Sequence, residues 1–367
     1  MSARLSRLRL WAMASVVYGM VNGSLRAESF FESRYQYYQE EQHRIRVDSN
    51  YSLFSLDLKD SVVIDGSFLY STISGASPIG FPPFVKGSGV FVARVKDERT
   101  AFTLGVTKPI ADHALKAGIS YSYESDYTSL GYSLQDTISF NQKNTELVLG
   151  MAFTDDVVGA NGSSLASKKR SYDVVIGVNQ VLTPTDLLSF NVTLGWRQGY
   201  LNDPYKAVLL NSSTAQNDLR PERKFEQLAL LQWTHYLKSL GASVESSYRF
   251  GRNDWGSCSH TAQLAVHKKL FHNRVVLSPS FRYYRQTAAD FYATEFFGNP
   301  SYCSSDYRLS AEETFSLGMQ MRWYAIRERL ALDIGYERYV TRGLDGKTSQ
   351  SAYPSANSVT VGVHYQF

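Results

Sequence analysis

Seven histidines are the side chains of this 367-residue chain best placed to move protons near neutral pH: His43, His113, His235, His260, His267, His272 and His364. A hydrolytic site needs such a base within hydrogen-bond reach of a serine or cysteine, with a third group to orient it. The spacing provides no recognisable version of this. There is no Gly-x-Ser-x-Gly elbow, no His-Glu-x-x-His metal helix and no glycine-rich phosphate loop. His260 and His267 are seven residues apart, so on one strand they fall on opposite faces and cannot share a site. The sequence therefore predicts no catalytic residues, no metal ligands and no cofactor.

Charged and sulfur side chains offer other chemistry. Lys+Arg total 38 and Asp+Glu 34, a formal charge of +4 without the clustering that nucleic acid requires. The Lys168-Lys169-Arg170 triplet reads as a solvated loop end. Many of the remaining charges alternate with apolar residues and are expected on the inward faces of the elements that carry them: acidic Glu32, Asp48, Asp65, Glu124, Glu146, Asp173, Glu245, Asp333 and Glu337, and basic Arg34, Arg46, Lys116, Arg197, Arg249, Arg282 and Arg322. Cys258 and Cys303 are the only cysteines. In an exported chain such a pair commonly oxidises to a disulfide.

The elements that carry these side chains are strands. Leu115, Ala117, Ile119, Tyr121 and Tyr123 oppose Lys116, Gly118, Ser120, Ser122 and Glu124. Phe315, Leu317, Met319, Met321 and Trp323 alternate with polar or small residues, and so do Val359, Val361, Val363, Tyr365 and Phe367. Such period-two alternation presents one apolar and one polar face. Sixteen candidates follow one another, near 30–39, 44–57, 61–73, 94–107, 113–125, 129–140, 144–155 and 170–181, then 186–199, 222–238, 241–252, 257–270, 273–287, 307–325, 328–341 and 356–367. The region 82–97 has room for a short strand of its own. Most candidates are 11–15 residues long. Soluble strands average about 5–6, whereas about 9–11 cross a bilayer at a tilt.

Every second connection is short and all the long ones lie between, at 74–93, 156–169, 200–221, 288–306 and 342–355. That parity is the signature of an all-β, transmembrane, antiparallel up-and-down barrel with short periplasmic turns and long external loops. Twenty-five Tyr and 20 Phe fit aromatic girdles at the two interfaces. A mean hydropathy of −0.27 hides the membrane, because lipid-facing and lumen-facing residues average out. At the N-terminus, Arg4, Arg7 and Arg9 precede the apolar run Leu10–Tyr18, and Leu25-Arg26-Ala27 offers a cleavage site. Residues 1–27 are thus expected to be a signal peptide and 28–367 the barrel. The aromatic end of the last strand, Tyr365 and Phe367, resembles the signal read by the barrel-assembly machinery. That machinery and the lipid bilayer are the expected partners.

Several segments also resemble a known bacterial family, DUF3570: Ser52–Asp60 (SLFSLDLKD), Phe140–Asn144 (FNQKN), Gly199–Lys206 (GYLNDPYK), Ser278–Tyr292 (SPSFRYYRQTAADFY) and Ser351–Pro354 (SAYP). They fall in the family's order, from about residue 30 to the end. The resemblance implies an outer-membrane β-barrel and supplies no catalytic residues. It also implies a gene neighbourhood of a small lipoprotein, a thioredoxin-like protein and a flavin transferase.

Three function classes follow. About sixteen strands leave a water-filled channel unless loops fill it, so a passive, porin-like channel leads. Its lumen would be lined by Lys116, Glu124, Arg197, Glu245, Arg249, Arg282, Arg322 and Asp333. The interspersed signs suit either a weakly selective channel or a lumen closed by ion pairs. The 288–306 loop, with Phe291, Tyr292, Phe296 and Phe297, either folds inward as a plug or packs outside on its neighbours. The alternative is a non-conducting barrel that scaffolds envelope or redox- and flavin-linked partners. An outer-membrane hydrolase is the third class.

Overall fold

The computed structural model describes residues 29–80, 90–159 and 166–367. The expected signal peptide, with its cleavage site at Ala27, lies outside the described residues, as does much of the 82–97 region. The first half of the barrel wall consists of β1 (Phe30–Glu40), β2 (Arg46–Asp57), β3 (Val63–Pro78), β4 (Val92–Ile110), β5 (His113–Tyr123), β6 (Tyr127–Phe140), β7 (Thr145–Gly159) and β8 (Ala166–Thr183). After β9 (Asp186–Gly199), the hairpin β10 (Ala207–Leu210) and β11 (Thr214–Asn217) stands apart from the wall. The wall resumes with β12 (Arg223–Leu237), β13 (Ala242–Asn253), β14 (Cys258–Leu270), β15 (Val275–Gln286), β16 (Glu312–Ile326), β17 (Leu330–Gly343) and β18 (Ser355–Gln366).

Sixteen of these strands close into one antiparallel barrel, in which each pairs with the wall strands before and after it, β9 with β12 across the hairpin, and β18 returns to β1. Closure leaves the wall without an edge strand, as a hydrocarbon environment demands of a sheet. Short turns gather at one rim and the long connections at the other. Pro279 is accommodated without a slip: Ala265 faces Ser280 and Lys268 faces Leu277 in the same register on either side of it.

Burial is inverted relative to a soluble protein. Leu115, Leu134, Met151, Ile176, Phe190, Leu317, Trp323 and Ile334 stand on the outer surface and are exposed. A continuous apolar belt of this kind marks a lipid-facing surface. The few buried apolar side chains, Val208, Leu209, Trp255, Ala289, Cys303 and Tyr353 among them, lie mainly in the long connections. The apolar packing of this molecule therefore sits in its loops, and its wall is held by hydrogen bonds.

The strand β2 corrects one expectation. Arg46 and Asp48 share the outward face with Phe54 and Leu56, while Tyr51 and Leu53 face the lumen with Arg34 and Glu32. Neither charge lines the interior. They sit near the long-loop rim, where Arg46 Nε is 2.7 Å from Asp48 Oδ2 and its guanidinium lies over the Tyr37 ring.

Candidate functional site: the barrel lumen and its loop cap

Inward-facing charges come together as cross-strand pairs, because residues opposite one another on neighbouring strands share a face. Lys116 on β5 reaches Asp65 on β3 across Gly105, 2.7 Å away. Arg197 on β9 meets Asp173 on β8 at 2.7 Å, and Arg99 on β4 meets Glu124 at 3.4 Å. Asp156, fully buried, accepts from Tyr127 and Ser129 at 2.6 Å and pairs with Lys169 at 3.3 Å.

The densest group straddles the seam where the barrel closes. Arg322 on β16 grips Asp333 on β17 with two nitrogens, at 2.6 and 2.9 Å. Arg34 on β1 binds Glu32 at 2.6 Å and approaches Asp333 at 3.9 Å, while Arg322 reaches Glu32 at 3.6 Å. His364 on β18 adds a contact to Glu32 at 3.1 Å. Two carboxylates and two guanidinium groups balance here, so the cluster ties four strands together with little net field.

Of the eight candidate lining residues, Lys116, Glu124, Arg197, Arg322 and Asp333 are thus engaged in pairs. Glu245, Arg249 and Arg282 have no ion-pair partner among the described residues. Glu245 and Glu337 both face a cavity of about 680 Å³ bounded by β1–β3 and β13–β18. A smaller space of about 310 Å³ adjoins it near Arg322 and Asp333.

Above the lumen, the long connections knit into a cap. Ala207 N donates to Ile79 O at 2.9 Å, so the 200–222 connection reaches the end of β3 on a distant part of the ring. The same connection exchanges two backbone hydrogen bonds with the 287–311 connection, Leu219 N to Cys303 O at 3.0 Å and Cys303 N to Leu219 O at 2.8 Å. Phe296 N donates to Leu209 O at 3.1 Å. Ser310 Oγ lies 2.6 Å from the Tyr353 hydroxyl, which fastens the 344–354 connection to the same body. The aromatic 288–306 loop therefore lies across the mouth, with the Phe291 ring edge-on to buried Trp255 at 5.2 Å.

Inside the cap is a second charge cluster. Asp306, fully buried, binds Arg220 Nη2 and Arg308 Nε, both at 2.9 Å. Arg220 also holds Asp218 at 2.5 Å, and Arg308 reaches Asp203. Burial pushes the Asp306 carboxyl upward, but Arg308, Lys206 and Arg220 outweigh it and hold its pKa at about 2. Burial moves Lys206 down and Asp218 up. Nothing local in the sequence marks these loop charges as a cluster, because loops have no repeating side-chain period.

Cys258 and Cys303 are not bonded to each other in this structure. Strand parity turns Cys258, opposite Arg252, to the outer face, whereas Cys303 is sealed within the cap against Leu219.

His267 Nδ1 and Ser278 Oγ meet at 2.9 Å, but no carboxylate bonds to His267 among the described residues, so the group that would orient the base is missing. Of the other histidine pairings, His113–Asp136 and His235–Asp186 at 2.7 Å and His260–Tyr248 at 2.6 Å face outward, and His364–Glu32 at 3.1 Å belongs to the seam cluster. Asp97, Glu124 and Asp126 bring carboxylate oxygens within 4.8 Å of one another. They are engaged by Ser125, Arg99 and Tyr205, the last of which ties the β5–β6 corner to the cap.

Comparison with solved structures places the architecture among outer-membrane barrels. CdiB from Acinetobacter baumannii superposes with a TM-score of 0.54 at 7% identity over 92% of this chain, which spans 60% of CdiB. A bacterial polysaccharide outer membrane secretin superposes with a TM-score of 0.50 at 10% identity, covering 94% of this chain and 100% of that one. At such identities the likeness is one of fold. No curated protein matches the sequence. The family model described as "Protein of unknown function (DUF3570)" matches residues 89–167 and 163–367, and the chain belongs to that family.

Proposed function

We propose that this chain is exported to the outer membrane of a Gram-negative bacterium and serves there as a channel for small polar solutes. Residues 1–27 act as the signal peptide, the short turns face the periplasm and the cap faces outward. The observation that carries this reading is the lumen: a sixteen-strand wall encloses a polar cavity of about 680 Å³ instead of a packed core. A barrel whose only role was to stand in the membrane would gain more from filling that space. Paired wall charges leave only a weak net field, so solute size and hydrogen bonding govern passage more than charge.

A second reading is favoured by the interlocked cap: a non-conducting barrel whose loops present a surface to envelope partners. Planar-bilayer recording separates the two. The intact protein is expected to show rare or small openings, and a variant with 288–306 replaced by a short Gly/Ser turn should show large, stable ones. If the shortened variant folds and stays silent through repeated insertions, the scaffold reading replaces the channel.

A further inference from the structure

The large lumen cavity carries more information than its size. Two amides and two carboxylates on its wall make no side-chain hydrogen bond and no ion pair among the described residues: Gln263 on β14, Gln320 on β16, Glu245 on β13 and Glu337 on β17. Its cation, Arg34, is already held by Glu32 at 2.6 Å, and His267 is held by Ser278 at 2.9 Å. Opposite stands Tyr51, which is 40% exposed although it faces inward, with Leu69 beside it in register. An apolar patch left open on a polar wall is unfavourable unless something covers it.

Resting on the channel reading above, we infer that this cavity binds a neutral polyhydroxylated solute, of the size of a short oligosaccharide. Two amides offer N–H donors and C=O acceptors, and two carboxylates add acceptors alone. A polyol satisfies both kinds, because each hydroxyl donates and accepts. An anion would meet the amide donors but face two uncompensated carboxylates. A cation would satisfy the carboxylates and leave the amide donors idle. The C–H face of a sugar ring covers an aromatic surface such as Tyr51, and that contact has no counterpart for a small ion. The volume lies within the usual range of about 300–1,000 Å³ for small-molecule sites.

The test is calorimetric titration of the folded, full-length barrel in detergent micelles, with maltotriose as the polyol probe, spermidine as the cation and citrate as the anion. Saturable binding of maltotriose is expected, weakened at least tenfold in Tyr51→Ala and in the Gln263→Ala/Gln320→Ala double variant. Retained heat-modifiable gel mobility would show that both variants are folded. No binding of maltotriose, or equal binding by wild type and both folded variants, overturns the inference. So does saturable spermidine binding that is lost in Glu245→Gln/Glu337→Gln, which would make this a cation site. Micelle binding does not depend on conduction. Binding with silent bilayers would remove the channel and keep the site; conductance without binding would do the reverse.

Discussion

Asp306 illustrates what one residue can control. Its carboxylate is buried between Arg220 and Arg308, which belong to different connections, so a single charge joins the two halves of the cap. The folded-state pKa of about 2 lies below the ordinary carboxyl value of about 3.9. A depressed pKa contributes stability above the ordinary value and loses it as pH falls through the folded one. The cap should therefore loosen between about pH 4 and pH 2, read as faster amide exchange at Ala207, Leu219 and Cys303. Asp306→Asn should abolish that acid step and speed exchange at neutral pH about a hundredfold or more, because breaking a buried pair costs about 3–5 kcal/mol. An unchanged acid profile in the variant would show that another group holds the loops.

At the scale of elements, the closing strand has two tasks. β18 pairs with β1 along its whole length and with β17 on its other side, so its ladder holds the ring shut. Phe367 lies just beyond it, where its N–H donates to Ser29 O at 3.0 Å and its ring meets Tyr365 edge-on at 5.3 Å. A rim side chain of this kind contributes little to folded stability, about 1 kcal/mol or less. Deleting Phe367 should nevertheless lower the outer-membrane level several-fold, if the assembly machinery reads an aromatic end on an alternating strand. Immunoblots of membrane fractions beside melting of the purified variant give the comparison. Normal membrane levels would argue that assembly does not read this residue. The strands themselves were legible in the sequence, because alternation follows directly from the pleat. Their limits were less so: β4 and β8 extend well past the lipid-facing belt into the rim, where outward positions become charged. That change of solvent along one strand also explains why the mixed apolar residues of β2 gave the wrong face for Arg46 and Asp48.

The closed wall makes a prediction for the whole molecule. With no edge strand, detergent has no place to begin unpairing the ladder, so unboiled protein in dodecyl sulfate should migrate as a compact species and shift on heating. A single mobility before and after boiling would contradict a membrane barrel of this kind.

Strand number, antiparallel order and the alternation of short and long connections were set by local rules, and sixteen strands could be counted from the chain alone. The inward direction of Lys116, Glu124, Arg197, Glu245, Arg249, Arg282, Arg322 and Asp333 also follows from parity. Which of them would find a partner does not, since Arg322 and Glu32 are far apart in sequence and become neighbours only when β18 closes against β1. The cap is the clearest case of what tertiary structure alone decided. Asp203, Asp218, Arg220, Asp306 and Arg308 look like ordinary loop charges, and Cys303 looks available to Cys258. Loops have no repeating side-chain period to reveal where they go. Their course is fixed by packing against other loops brought together at the mouth, and that proximity exists only after the ring has closed.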